Sequence, residues 1–194
     1  MAEVVPRWEW RTFGADFSEA AKRLAQLGSA RVRESAEVYL ISSKSHENTK
    51  IRQGLMDIKT LCQVNDQKLE QWIPALKTGF PLQRDLLDRL FKTWQVEPLA
   101  LSGDEWDLDS FLSQVVDSHP HLARVDVFKE RHGYLIEDCI IEVAYLKFDG
   151  EPIQTVAVEM EEADRVWERV VSLGLADREN VNYVSALKRF KGIG

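Results

Sequence analysis

The sequence predicts an α+β fold of mainly antiparallel strands with helices between them. Runs of alternating apolar and polar residues recur near both ends of the chain, separated by turn residues. The middle third instead repeats leucine and tryptophan at helical spacing. Since no linker rich in Gly, Ser or Pro divides the 194 residues, we expect one domain over 1–194, with a helical insertion at about 66–118.

The first third of the chain alternates strand and helix patterns. Residues 7–13 alternate aromatic and charged side chains, as a strand with two different faces does. A helix with leucines on one side follows, and Gly28 ends it. The predicted elements are, in order, a strand at 7–13, a helix at 18–27, one or two strands within 30–42, the clearer at 37–42, and a hairpin of 48–53 and 55–64.

The rest of the chain passes from helices back to strands. Apolar residues at helical spacing predict helices at 69–76, 82–94 and 107–117. Three strands follow at 124–132, 134–147 and 153–161, and the Asp149–Gly150 turn joins the last two. Two helices close the pattern, at 163–173 and 182–190. The two sets of strands, one in each half of the chain, are suited to closing into a barrel.

Composition narrows the classes of function. The net charge is −7 and the isoelectric point about 5.2, which argues against a broad nucleic-acid-binding surface. Neither an apolar signal segment nor an apolar run of membrane-spanning length occurs, so we expect a cytoplasmic protein without a membrane anchor. Cys62 and Cys139 lie in apolar runs without metal-ligand spacing, which is typical of core thiols in a reducing compartment.

Pairs of charges stand two residues apart within the predicted strands. Residues i and i+2 of a strand point to the same face, so each pair presents its charges side by side. The basic set on these faces is Arg7, Arg11, Lys50, Arg52, Lys59, Lys129 and Arg131, and the acidic set is Glu9, Asp57, Glu159 and Glu161. Seven cations against four carboxylates predict a positively charged interior if the strands close around it.

A solvated sheet face is the ordinary explanation of any one such pair. Two observations favour a binding site instead. The last strand carries only acids while two other strands carry bases, whereas a solvated face mixes both signs. The opposite faces are apolar in part, and helices are available to cover them. Lys and Arg supply donors to phosphate oxygens, and carboxylates bind Mg²⁺ or Mn²⁺, so the pattern predicts a site for a polyanionic phosphate with a divalent cation.

The order of these motifs resembles the CYTH, or triphosphate tunnel metalloenzyme, superfamily. Its opening Glu-x-Glu-x-Lys is similar to Arg7-Trp8-Glu9-Trp10-Arg11, with Arg7 in place of the first Glu. The other matching stretches are Lys50-Ile51-Arg52, Leu55 to Lys59 with one residue more than the family pattern, Lys129-Glu130-Arg131 and Glu159-Met160-Glu161. An acidic residue expected between the last two stretches is Glu142 or Asp138.

The resemblance implies an eight-stranded antiparallel β-barrel, closed or nearly closed as a tunnel, with helices packed outside. It implies a metal-dependent hydrolase of inorganic triphosphate, thiamine triphosphate or a nucleoside triphosphate. The implied ligands of Mg²⁺ or Mn²⁺ are Glu9, Glu159 and Glu161. The implied phosphate-binding residues are Arg11, Lys50, Arg52, Lys59, Lys129 and Arg131, of which Lys59 and Arg131 are the catalytic candidates.

Arg7 is the main departure from the family pattern, because a cation stands where a metal-binding acid is expected. It keeps a second hypothesis open, a non-catalytic phosphate- or polyphosphate-binding module. An adenylyl cyclase of the same superfamily is a further alternative, and an interaction protein with simply solvated strands is the last. The expected partner is a small triphosphate or another polyanion, and a homodimer is one alternative for the oligomeric state.

Overall fold

The computed structural model describes residues 5–193, which contain ten strands and five α-helices. The strands are β1 (Trp8–Gly14), β2 (Arg31–Ser42), β3 (Asn48–Arg52), β4 (Leu55–Val64), β5 (Glu70–Gly79), β6 (Leu82–Gln83), β7 (Glu105–Trp106), β8 (Leu122–Ile136), β9 (Cys139–Phe148) and β10 (Glu151–Met160). The helices are α1 (Ser18–Leu27), α2 (Arg84–Thr93), α3 (Leu108–Ser110), which continues as a π-helical segment (Phe111–Val116), α4 (Ala163–Ser172) and α5 (Tyr183–Lys191).

Eight strands are hydrogen-bonded in a closed ring, in the order β1-β10-β9-β8-β2-β3-β4-β5. A separate two-stranded sheet contains β6 and β7. Strand β1 runs antiparallel to β10 over its whole length, from Trp8 opposite Met160 to Gly14 opposite Gln154. A closed ring leaves none of its strands with an unpaired edge. The predicted α+β class and the eight-stranded antiparallel ring are therefore confirmed.

The chain divides into two compact units. The first contains residues 5–35, Leu61–Ile73 and Phe128–Asn182. In this unit one face of β1, β9 and β10 packs on α1 and α4 through a core that includes Trp10, Leu24 and Val158. Helix α4 buries Val166 and Val170, which lie four residues apart on one side of a helix. The opposite face of these strands is left to the charged residues.

The second unit contains Ala36–Thr60, Pro74–Val127 and residues 183–193. Its core packs strands β3 and β4 with α2 and the π-helical segment, around Trp94, Phe91 and Phe111. The indole Nε1 of buried Trp94 donates to Thr49 Oγ1 at 3.0 Å, so its one polar atom has a partner. The assignment of both units to one domain stays a prediction.

The helix expected over residues 69–76 is wrong. Residues Glu70–Gly79 form β5, and the rest of the expected insertion contains α2, the helical stretch 108–116 and two short strands. Strand β5 pairs with β1, with Gln71 opposite Trp8 and Glu70 opposite Glu9. This pairing within the sheet outweighs the helical spacing of the leucines and tryptophan, since local pattern is a weak preference.

The turn between β8 and β9 is also displaced from its expected place. The sequence analysis put the break at Gly133, but β8 continues to Ile136 and the turn is Glu137–Asp138. Both turn residues have positive φ, at 50° and 65°, as a tight hairpin turn requires. Residues other than glycine rarely adopt this conformation, so no residue type in this segment indicated the turn. The predicted turns at Gln53–Gly54 and Asp149–Gly150 do carry glycine and are confirmed.

Within residues 5–193, none of the helices is both long and apolar enough to cross a membrane.

Candidate functional site

Three glutamates form a row across neighbouring strands of the first unit. Glu9 in β1 lies opposite Glu159 in β10 on one side and opposite Glu70 in β5 on the other. Residues that face each other in an antiparallel pair point to the same side of the sheet. We call Glu70, Glu9 and Glu159 the carboxylate row; it lies on the side opposite the α1–α4 core.

Beside this row, three cations meet at one buried carboxylate. Glu142 in β9 has its side chain 6 % exposed and lies 2.6 Å from Arg131 Nε, 3.2 Å from Lys129 Nζ and 3.1 Å from Arg11 Nη1. Lys129 and Arg131 are two residues apart in β8, so strand alternation puts both on this face. We call these four residues the Glu142 cluster. Its members come from β1, β8 and β9, which no short sequence motif joins.

Arg11 connects the Glu142 cluster to the carboxylate row. Its Nε donates to Glu9 Oε1 at 2.7 Å, and its Nη2 lies 4.0 Å from Glu159 Oε1. The planar guanidinium, always charged, is suited to serving several carboxylates at once. Its backbone is also fixed, because the N–H donates to Asn180 Oδ1 at 2.8 Å and the C=O accepts from the N–H of Val181. Arg11 is therefore held in place by both its side chain and its main chain.

The three cations keep Glu142 ionised in spite of its burial. Burial alone raises the pKa of a carboxyl group, because it disfavours the charged form. The attraction of Lys129, Arg11 and Arg131 exceeds this effect and lowers the pKa of Glu142 to about 2. Its two oxygens thus carry a full negative charge at neutral pH, as a bound phosphate would.

Glu70 is a member of the carboxylate row that the sequence analysis missed, because its segment was assigned to a helix. Burial, the larger cause, and the neighbouring charge of Glu9 raise its pKa. Its oxygens accept from Asn182 Nδ2 at 2.9 Å and Trp72 Nε1 at 3.1 Å. With Glu70 included, the row and the cluster contain four carboxylates against three cations. The excess of positive charge expected from the sequence is not present in this group.

A smaller charged group lies in the second unit. Glu37 in β2 is 3 % exposed, with Lys50 Nζ at 3.7 Å and Arg52 Nη1 at 3.5 Å. Strand β3 pairs Lys50 with Asp57 and Asn48 with Lys59, so these side chains share a face. Lys59 is half-buried. This unit therefore brings Lys50 and Arg52 together around Glu37, which is not among the residues of the predicted site.

Solved structures with a similar fold cover nearly the whole chain. A conserved hypothetical protein from Pyrococcus furiosus superposes with a TM-score of 0.53 at 14 % identity, covering 92 % of this chain and 98 % of its own. The PH1012 protein from Pyrococcus horikoshii gives 0.51 at 16 % identity, covering 92 % and 97 %. HpAC1 from Hippeastrum, a proposed adenylyl cyclase with a dominant triphosphatase activity, gives 0.50 at 7 % identity, covering 96 % of each chain.

The chain has the same fold as these structures. The resemblance drawn from the charged motifs is thus confirmed for the fold. Neither a protein-family model nor a curated protein matches the sequence. At identities of 7–16 %, the similarity shows the fold alone. The roles of individual residues depend on the geometry of this chain.

Two members of the predicted charged pairs lie outside the strands of the sheet. Strand β10 ends at Met160, and Glu161 is exposed in the bend before α4. Strand β1 begins at Trp8, and Arg7 is exposed before it. Alternation along a strand therefore does not place either side chain beside its expected neighbour, Glu159 or Glu9. The predicted strand 153–161 was one residue too long at its end.

Mg²⁺ requires several oxygen ligands in near-octahedral geometry at about 2.0–2.1 Å. No group of three or more His, Cys, Asp or Glu side chains able to hold a metal occurs in the part of the chain that the structure describes. Glu9 and Glu142 are bound by arginine, Glu70 by Asn182 and Trp72, and Glu161 lies apart from the sheet. These carboxylates do not fit a divalent metal in the observed arrangement. The cations beside them are suited to contact with an anion.

Proposed function

We propose that the chain binds a triphosphate-containing small molecule through Arg11, Lys129 and Arg131 and hydrolyses its terminal phosphate. The observation that supports the proposal is the meeting of these three cations within 3.2 Å of one buried carboxylate. Phosphate oxygens accept the same kind of charged hydrogen bond as carboxylate oxygens. A site that already holds an anion with three cations has the donors that a phosphate chain needs.

The cations have two roles in this proposal. On binding, they neutralise the phosphate chain and orient it. During bond cleavage, negative charge builds on the bridging oxygen of the leaving group, and a fixed cation such as Arg131 stabilises it. Lys50, Arg52 and Lys59 of the second unit are proposed as further phosphate-binding residues, with Lys59 as the second catalytic candidate. No protein nucleophile is required, since water attacks the phosphorus.

A divalent metal is part of what the CYTH resemblance implies. Mg²⁺ or Mn²⁺ would polarise the water and the phosphate, and the CYTH resemblance makes Glu9, Glu159 and Glu161 its ligands. Because their oxygens do not converge in the observed arrangement, no step is assigned to a metal. The cations alone bind the phosphate chain.

A second candidate is a non-catalytic module that binds triphosphate or polyphosphate. Two observations favour it. Glu9 and Glu70 of the carboxylate row are bound by other side chains, and no group of three or more acidic side chains able to hold a metal occurs among the described residues. Arg7 stands where the resemblance expects a metal-binding acid. Both candidates share the same anion-binding cations and differ only in turnover.

One pair of measurements separates the candidates. Phosphate release is followed with inorganic triphosphate, ATP and thiamine triphosphate, each with EDTA, Mg²⁺ or Mn²⁺, and the ATP reactions are also analysed for cyclic AMP. The melting temperature is recorded with the same ligands, since a ligand that binds the native state stabilises it. Release of phosphate supports the hydrolase, and stabilisation without release supports the binding module. The absence of both results overturns the proposal and favours solvated strands.

A further inference from the structure

Glu142 is in contact with the three cations that a bound phosphate would use. Its Oε1 lies 3.1 Å from Arg11 Nη1 and 3.2 Å from Lys129 Nζ, and its Oε2 lies 2.6 Å from Arg131 Nε. All three proposed phosphate-binding cations of the first unit thus contact a single side chain. The carboxylate is nearly inaccessible to water, since its side chain is 6 % exposed.

The charge of this arrangement sets a condition for ligand binding. Arg11 and Lys129 are buried, and a buried cation needs a partner of opposite charge, which Glu142 provides. A phosphate chain that reaches the same cations meets an ionised carboxylate that already attracts them and that repels the phosphate. To bind closely, it must weaken or replace the contacts of Glu142. The free energy lost with these contacts is subtracted from the affinity, because hydrogen bonds to charged groups are the stronger ones.

We propose that Glu142 is a built-in competing anion, which holds Arg11, Lys129 and Arg131 in place without ligand and limits the affinity for phosphate. This inference rests on the proposed function. It makes Glu142 a residue that tunes the affinity and does not itself hold the substrate. After cleavage, the shorter phosphate products carry less charge than the triphosphate, so the returning carboxylate favours their release.

The test compares the affinity for tripolyphosphate of the wild type and of Glu142→Gln, measured by calorimetric titration in EDTA at one fixed ionic strength. Glutamine keeps a similar size and one acceptor oxygen but removes the competing charge. We expect the dissociation constant to fall by about tenfold or more, the effect of losing one charged competitor. Pyrophosphate, one of the products, should gain affinity in the same direction.

Glu130→Gln is the matched control. Glu130 lies in β8 between Lys129 and Arg131, but its carboxylate bonds His132 Nε2 at 2.7 Å, on the other face of the strand. The substitution changes the net charge of the protein by the same amount and should leave the affinity unchanged. If Glu130→Gln and Glu142→Gln lower the dissociation constant equally, the change in net charge explains the effect and the inference is overturned.

Loss of a buried charge can prevent folding, so a second variant accompanies the first. Glu142→Asp keeps the negative charge but withdraws the carboxylate by one methylene from the cations, and it should tighten binding to a smaller degree. If the wild type binds and neither folded variant binds more tightly, Glu142 only organises the cations, and the inference fails while the proposed function stands. If neither the wild type nor a folded variant binds tripolyphosphate, the proposed function fails as well.

Discussion

Glu9 lies directly opposite Glu70 across the pairing of β1 with β5, so two acidic side chains are neighbours on one face of the sheet. Arg11 compensates Glu9 at 2.7 Å, while Glu70 is held by the neutral donors of Asn182 and Trp72. The result is a raised pKa for Glu70, from burial first and the charge of Glu9 after it.

Glu70→Gln is therefore expected to stabilise the protein at pH 7. The substitution keeps only one acceptor oxygen for Asn182 and Trp72, but it removes the buried charge beside Glu9. The raised pKa of Glu70 shows that burial and Glu9 outweigh these two hydrogen bonds. We expect a gain of about 0.2–1 kcal/mol in the free energy of unfolding, the range for a cross-strand charge pair. Urea unfolding at pH 7 measures it, with exposed Glu34→Gln as the control for net charge.

The sign of this effect depends on pH. Because the pKa of Glu70 is higher in the folded state, the ionised group opposes folding at neutral pH, and protonation removes the opposition as the pH falls through that pKa. The advantage of Glu70→Gln should thus shrink toward acid pH. An advantage that is equal at pH 7 and below pH 4 would exclude the charge of Glu70 as its cause.

Lys129→Gln is expected to weaken triphosphate binding. Lys129 is 9 % exposed and contributes one of the three charges at Glu142. Losing one charged hydrogen bond should raise the dissociation constant by about tenfold to a hundredfold. The matched control is Lys147→Gln in β9, an exposed position with the same change of charge. Equal effects of the two substitutions would assign binding to the overall charge of the protein.

Acid should destabilise the protein through Glu142. Its pKa of about 2 in the folded state lies below the usual 4.5, so its contribution to stability is complete above about pH 4.5 and is lost as the pH falls toward 2. The shift corresponds to on the order of 3 kcal/mol. We expect the difference in unfolding free energy between the wild type and Glu142→Gln to be largest above pH 4.5 and to shrink below it. A difference that does not vary between pH 6 and 2.5 would contradict this.

In the second unit, Glu37→Gln is expected to destabilise the fold. Glu37 is buried against Lys50 and Arg52, and removing one partner of buried ion pairs leaves charge uncompensated. Since Arg52 is half exposed, water replaces part of the interaction, and we expect a loss of about 1–2 kcal/mol. Thermal unfolding measures it, with exposed Glu151→Gln as the control.

Strand alternation was sufficient to predict that Lys129 and Arg131 share a face, and the glycine turns fixed the hairpins on either side of Gln53–Gly54 and Asp149–Gly150. Strand alternation was not sufficient to predict that Glu70 lies beside Glu9. The two residues are 61 positions apart in the sequence and become neighbours only through the pairing of β5 with β1. Register between distant strands is set by the whole sheet, and a local pattern does not contain it.

The position of Glu142 also depends on structure that a local sequence pattern does not contain. The resemblance pointed to either Glu142 or Asp138 as the acidic residue of this stretch. The choice depends on a turn at Glu137–Asp138 made by two residues with positive φ and without glycine. With that turn in place, Asp138 is exposed and Glu142 is buried among three cations. The missing information was the backbone conformation of this turn, which no glycine in the segment indicates.

The most direct test of the central claim is a calorimetric titration of the wild-type protein with inorganic tripolyphosphate, in EDTA and again with Mg²⁺. Saturable heat that decreases in Lys129→Gln and not in Lys147→Gln is the result expected if Arg11, Lys129 and Arg131 form a phosphate site. Heats no larger than those of dilution under both conditions would contradict the account.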